Sequence, residues 1–95
     1  MLDPLIRKER ARILEIARRH GAVNVRVFGS MARDAAGPDS DVDLLVESGT
    51  PRPPFFPGGL QLELQEMLGR KVDVLTLGAL HPSIRDRVLS EARPL

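Results

Sequence analysis

The sequence predicts an α/β (α+β) fold, a small mixed sheet of three or more strands with helices mainly on one face. Three observations predict it. Segments with helical apolar spacing alternate with segments of strand-like alternation, in the order α-β-α-β-α-β-α. No segment repeats another. Each helical segment carries one apolar side, the pattern of a helix laid against a sheet. With 95 residues, 42% hydrophobic and 28% charged, the chain is expected to form a single domain over residues 1–95.

Each element has a local cause. Asp3-Pro4 reads as a helix cap followed by proline at the first helical position. Ile6, Ile13, Leu14 and Ala17 then make an apolar stripe, and Gly21 after His20 stops the helix, which spans about residues 4–20. Residues 23–28 alternate, with Val23, Val25 and Val27 on one face and Asn24, Arg26 and Phe28 on the other, as in a strand. Gly29 and Ser30 end it, and Ser30 is placed to cap a short helix through Met31, Ala32 and Arg33. Residues 34–40, with Gly37, Pro38, Asp39 and Ser40, form a loop.

Residues 42–47 form a second strand. Val42, Leu44 and Val46 face one way, and Asp41, Asp43, Leu45 and Glu47 the other. The proline-rich residues 48–59 form a long loop. Its PxxP pattern at Pro51 and Pro54 fits a stiff loop better than a polyproline ligand. Phe55 and Phe56 either tuck onto the core or form a patch for a partner. Leu60, Leu64 and Leu68 mark a helix ended by Gly69. Residues 72–76 are a third strand, with Val72 and Val74 on one face and Lys71, Asp73 and Leu75 on the other. His81-Pro82-Ser83 opens a last helix whose apolar face is Ile84, Val88 and Leu89.

Composition excludes several function classes. There is no cysteine, which removes disulfides and thiolate zinc sites. His20 and His81 have no metal-ligand neighbours at zinc spacing. No apolar run reaches transmembrane length and the first residues lack a signal-peptide core, so no membrane partner and a cytoplasmic location are expected. Net charge is +1, with a basic first helix and an acidic middle. The basic run reads as a solvated helix face. Without Tyr or Trp, and with three Phe, stacking platforms for single strands are scarce, so a nucleic-acid partner is not expected.

The chemistry-bearing residues gather around two strand ends. Asp41 and Asp43 alternate onto one face with Cα atoms about 6.5–7 Å apart. Carboxylates this close repel unless protonated or bridged by cations. Mg²⁺ suits such oxygen donors and phosphate oxygens together. Gly29 lets backbone approach a ligand closely, the turn after it offers N–H groups to phosphate, and the Ser30 hydroxyl adds a donor. Arg33 is placed to meet a phosphate or to cap the acidic cluster. Asp73, on a separate strand but facing the same way, is a third candidate metal ligand able to help activate an incoming hydroxyl. Gly29, Ser30, Asp41, Asp43 and Asp73 therefore read as one site for a metal-bound nucleoside triphosphate.

Gly29-Ser30, ten intervening residues and then Asp41-x-Asp43 resembles the signature of the DNA polymerase beta-like nucleotidyltransferase superfamily. The stretches VFGSMARDAAGPDSDVDLLVE and LQEMLGRKVDVLTLGALHPSIRDRVLSEA are similar to its smallest branch, the minimal nucleotidyltransferases, over roughly residues 20–92. The resemblance implies that Gly29 and Ser30 bind the triphosphate of ATP. It implies that Asp41 and Asp43 hold two Mg²⁺ ions and that Asp73 binds the catalytic one. One position departs. Asp34 stands where the family has glycine, and its charge either weakens nucleotide binding or faces solvent. The larger enzymes of the superfamily add a domain that grips the acceptor. Here the acceptor must come from a partner protein or a second copy. Minimal nucleotidyltransferases often act as antitoxins beside a HEPN-domain toxin, some by moving AMP onto a toxin tyrosine. The resemblance thus implies either protein adenylylation or a catalytically weak antitoxin that masks its partner. An RNA-directed transferase using the basic helix is a third reading.

Overall fold

A computed structural model describes residues 3–32, 37, 40–49 and 54–95. The elements are α1 (Pro4–Arg19), β1 (Ala22–Phe28), a 3₁₀ turn (Gly29–Ala32), β2 (Val42–Ser48), α2 (Gly58–Leu68), β3 (Val72–Thr76), a second 3₁₀ turn (Leu77–Ala79), α3 (Pro82–Glu91) and β4 (Arg93–Pro94). The strands form one mixed sheet in the order β3-β2-β1-β4. β1 runs antiparallel to both β2 and β4, and β2 runs parallel to β3.

The helices begin and end where the sequence places their signals. The Asp3 carboxylate accepts the Leu5 amide at 2.8 Å, capping α1 ahead of Pro4. Gly69 closes α2 in the left-handed conformation, φ 69°. The His81 side chain accepts the Ser83 amide at the start of α3. α1 and α2 pack on the face of the sheet that carries Val27, Val42, Leu44, Val46, Val72 and Val74. Ile6, Ile13, Leu60 and Leu64 complete this core with little or no exposure. Each such side chain, fully buried, contributes about 1.5–3 kcal/mol.

The carboxylate face differs from the open surface expected. Leu45 points to that face and is fully buried, and so is most of Leu80 at the entrance to α3. The second 3₁₀ turn contacts β2 and roofs this end of the face. α3 itself buries none of its residues, and Ile84 is 44% exposed. Val88 and Leu89 are partly buried, so the expected apolar face of α3 does not enter the core.

Three further differences have local causes. Two residues of β1, Asn24 and Val25, span a single residue of β2 between the Val23–Glu47 and Arg26–Leu45 pairs. This bulge, with Asn24 at φ 51°, moves Val23 onto the face of Glu47, where it is exposed, and breaks the expected alignment with Val25 and Val27. Phe56 is buried in the core whereas Phe55 is 89% exposed. The last strand, β4, was not foreseen, because two residues ending in proline carry no periodicity and pair only once β1 offers an edge.

β3 is an edge strand, and its outer side is covered. Gln65 accepts the Val72 amide at 3.2 Å and Gln61 accepts the Val74 amide at 2.9 Å. Two α2 side chains one turn apart thus take the place of a neighbouring strand. α1 and α2 are joined by Glu63, which accepts from Arg19 at 2.6 Å and lies 2.8 Å from His20 Nε2. Those two bonds hold the Glu63 carboxyl below its usual range. His20, the C-cap residue of α1, thus also reaches α2. Among the described residues, no helix is long and apolar enough to cross a membrane.

Candidate active site

The site is built where β1 ends, β2 begins and β3 runs beside it. Phe28 and Asp43 are antiparallel partners, and Asp43 and Asp73 are parallel partners. Partner residues on adjacent strands point to the same face, about 4.8 Å apart. Asp43 and Asp73 therefore stand abreast, as strand parity predicts, and the register supplies what parity could not: they are direct neighbours.

Gly29 is fixed by the same packing. It has φ +71°, and a Cβ added to it would lie 2.6 Å from Oδ2 of Asp43. Any side chain here would collide with the carboxylate, so the glycine serves both a left-handed turn and a close approach. Ser30 lies inside the 3₁₀ turn rather than capping a following helix. Met31 and Ala32 of the same turn are buried in the core. The turn is held from two sides. The Asp3 amide donates to Met31 O at 3.1 Å, and Arg93 Nε donates to Ala32 O at 3.2 Å.

Asp41 sits just before β2, and its side chain is 45% exposed. Its Oδ2 is 3.9 Å from Nζ of Lys71. The Val42 amide donates to Lys71 O, and Arg70 donates to Ser40 O at 3.2 Å. The approach to β2 is thus pinned to the approach to β3. Ser40 and Gly37 exchange hydrogen bonds in the preceding turn. Arg33 and Asp34 lie outside the described residues, as does Pro51 of the proline-rich loop.

The electrostatics are those of crowded like charge. The Asp43 carboxyl is pushed above its usual range, first by partial burial, then by the charges of Asp73 and Asp41, with Lys71 opposing. Among the described residues, no three His, Cys, Asp or Glu side chains are gathered tightly enough to hold one ion together. Asp43 and Asp73 are brought together. Asp41 flanks them and turns toward Lys71. Sequence reasoning missed the roles of Lys71 and Arg70. Lys71 had a visible signal, since it shares strand parity with Asp73, but its partner depends on the register of β2 against β3.

A groove of about 700 Å³ lies elsewhere, lined by Glu47, Ser48, Thr76 and Arg85 with the second 3₁₀ turn. It lies four residues along β2 from Asp43, roughly 13 Å away. Asp43 and Asp73 lie toward the other end of β2 and β3.

Residues 10–95 match the family model described as nucleotidyltransferase domain. MJ0435 of Methanocaldococcus jannaschii, provisionally named a protein adenylyltransferase, is 40% identical over 87 residues, 92% of this chain and 94% of its own. The protein adenylyltransferase MntA of Thermococcus cleftensis is 37% identical over 79 residues, 81% of this chain and 78% of its own. A solved structure provisionally described as a minimal nucleotidyltransferase superposes with TM-score 0.83 at 46% identity, covering 95% of this chain and 92% of that one. The fold also matches the complex of a tri-AMPylated Shewanella oneidensis HEPN toxin with its MNT antitoxin. There the TM-score is 0.71 at 17% identity, over 93% of this chain and 69% of that one.

Proposed function

This chain belongs to the nucleotidyltransferase domain family, and we propose that it moves AMP from ATP onto a hydroxyl of a partner protein, with a HEPN-domain toxin as that partner. The observation that carries this reading is the Asp43 carboxylate seated against Gly29 with Asp73 abreast. The close approach of the Gly29 turn to Asp43 supports reading the turn as the phosphate seat beside the carboxylates. The relatives' names, protein adenylyltransferases, support the reaction class. The complex of a related fold with a HEPN toxin supports the partner.

The donor set fits Mg²⁺. Carboxylate oxygens are what a hard divalent ion prefers, and the like charge that raises the Asp43 carboxyl is the condition a cation relieves. Asp43 and Asp73 would hold the metal, joined by Asp41 once its carboxylate leaves Lys71, with two ions in the family's manner. When bound, Mg²⁺ neutralises phosphate charge and makes the attacking hydroxyl more acidic. The backbone at Gly29 and the Ser30 hydroxyl orient the triphosphate. The Asp73 carboxylate accepts the proton of the acceptor hydroxyl as its oxygen bonds to the α-phosphorus and pyrophosphate leaves. On this reading the reaction is cytoplasmic, and the acceptor is delivered by another chain: the partner, or a second copy.

The test is incubation with labelled ATP, Mg²⁺ and a HEPN-domain partner. Label should pass to the partner with wild type and fall by at least 100-fold with Asp43→Ala. No transfer by wild type, or equal transfer by the variant, would sink the proposal. A second reading, a masking antitoxin, is favoured by the stable toxin–antitoxin complexes of its structural relatives. It expects an Asp41→Ala/Asp43→Ala protein to bind the toxin and still protect cells. Binding without protection would refute it.

A further inference from the structure

We infer that Lys71 is a stand-in cation for the site: it holds Asp41 until a metal-bound nucleotide arrives, then yields the carboxylate and contacts the phosphates. This rests on the nucleotide-site reading above. The Lys71 ammonium lies 3.9 Å from Asp41 Oδ2, with the two side chains 64% and 45% exposed. It is an ion pair loose enough to be exchanged. The backbone around it is not loose. Lys71 O accepts the Val42 amide at 3.0 Å, and Arg70 holds Ser40 O. The stem of Lys71 is therefore anchored at the mouth of the site while its tip is free to move on four methylenes. Its charge also works against the crowding felt by Asp43, so its reach covers more than one carboxylate.

A cation at this point has two opposite consequences. It competes with a bare metal ion for Asp41, because the two positive charges repel and share one ligand. It assists a nucleotide, because the triphosphate and the three carboxylates together carry more negative charge than two divalent ions neutralise, and the phosphates supply the displaced ammonium with a new partner. A residue that merely stabilises the fold would move both affinities in the same direction or neither.

The experiment titrates wild type, Lys71→Gln and Lys71→Arg with Mn²⁺ alone, by water-proton relaxation, and then with a non-hydrolysable ATP analogue at saturating Mn²⁺. Lys71→Gln is expected to bind Mn²⁺ about fivefold more tightly and the nucleotide about fivefold more weakly. Both differences should shrink as salt is raised. Lys71→Arg should stay near wild type in both. If wild type binds metal and nucleotide and Lys71→Gln matches it in either titration, or shifts both the same way, the role of Lys71 is overturned and the site stands. If wild type binds neither, the site reading itself falls, and the role of Lys71 with it.

Discussion

At the scale of single residues, the site holds Gly29 and Asp43 in mutual dependence. Gly29→Ala places a methyl group 2.6 Å from the Asp43 carboxylate in a backbone with φ +71°. The variant should lose about 1–3 kcal/mol of stability and most nucleotidyl transfer, read by thermal melting and by label transfer. Asp43 makes the opposite trade. Its carboxyl is raised above its usual range by burial and by Asp73 and Asp41. The folded state therefore binds its proton more tightly than the unfolded state does. Stability should fall as pH rises through the interval between the two values, and stay lowered above it. Asp43→Asn should then melt at a higher temperature than wild type at pH 7 in EDTA, with the difference narrowing toward pH 4, while transfer is lost. An unchanged or lower melting temperature at pH 7 would show that Asp43 carries no electrostatic strain. Added Mg²⁺ should stabilise wild type and leave Asp43→Asn nearly unmoved.

At the scale of elements, the site depends on how β3 is held. Gln61 and Gln65 occupy the outer side of β3 through the Val74 and Val72 amides, which fixes the strand carrying Asp73. Replacing both glutamines by alanine leaves two amides without partners, at a cost of about 1–3 kcal/mol. The expected readout is faster hydrogen exchange at Val72 and Val74, with exchange in the β1–β2 pair changing far less. Equal acceleration in both pairs would mean global destabilisation instead. Neither glutamine was legible as a sheet-edge cover, because their spacing in α2 is that of any solvent-facing helix side. The bulge at Asn24 was hidden for a related reason. Val23 fits a strand pattern equally well in either register, and only pairing with β2 decides. The helix caps and stops were legible because Asp3-Pro4, Gly21, Gly69 and His81-Pro82 act through backbone geometry within a few residues.

At the scale of the whole molecule, the surfaces are divided. α1 and α2 cover one face of the sheet, and the carboxylates lie at one end of the other, away from the groove at Glu47 and Arg85. On the proposed reading, a second chain presents its hydroxyl there. The chain contains no tyrosine, so a tyrosine-directed reaction cannot mark the protein itself. Mass spectrometry after incubation with ATP, Mg²⁺ and a HEPN-domain partner should find the added AMP on the partner. Modification confined to the transferase would point to a second copy as acceptor.

The sequence by itself determined the order of the three α-helices and the first three strands, the caps, the alternation that puts Asp41, Asp43 and Asp73 on one side, and the family those motifs belong to. These are local or period-two properties, and they survive without a partner strand. Tertiary structure decided everything that needs one. It made Asp43 and Asp73 neighbours, pressed Gly29 against Asp43, brought Lys71 to Asp41, buried Leu45 on the face expected to be open, and left α3 without a core. The reason is register. Periodicity says which face a side chain takes, but which residues share that face at bonding distance is set only when the strands pair.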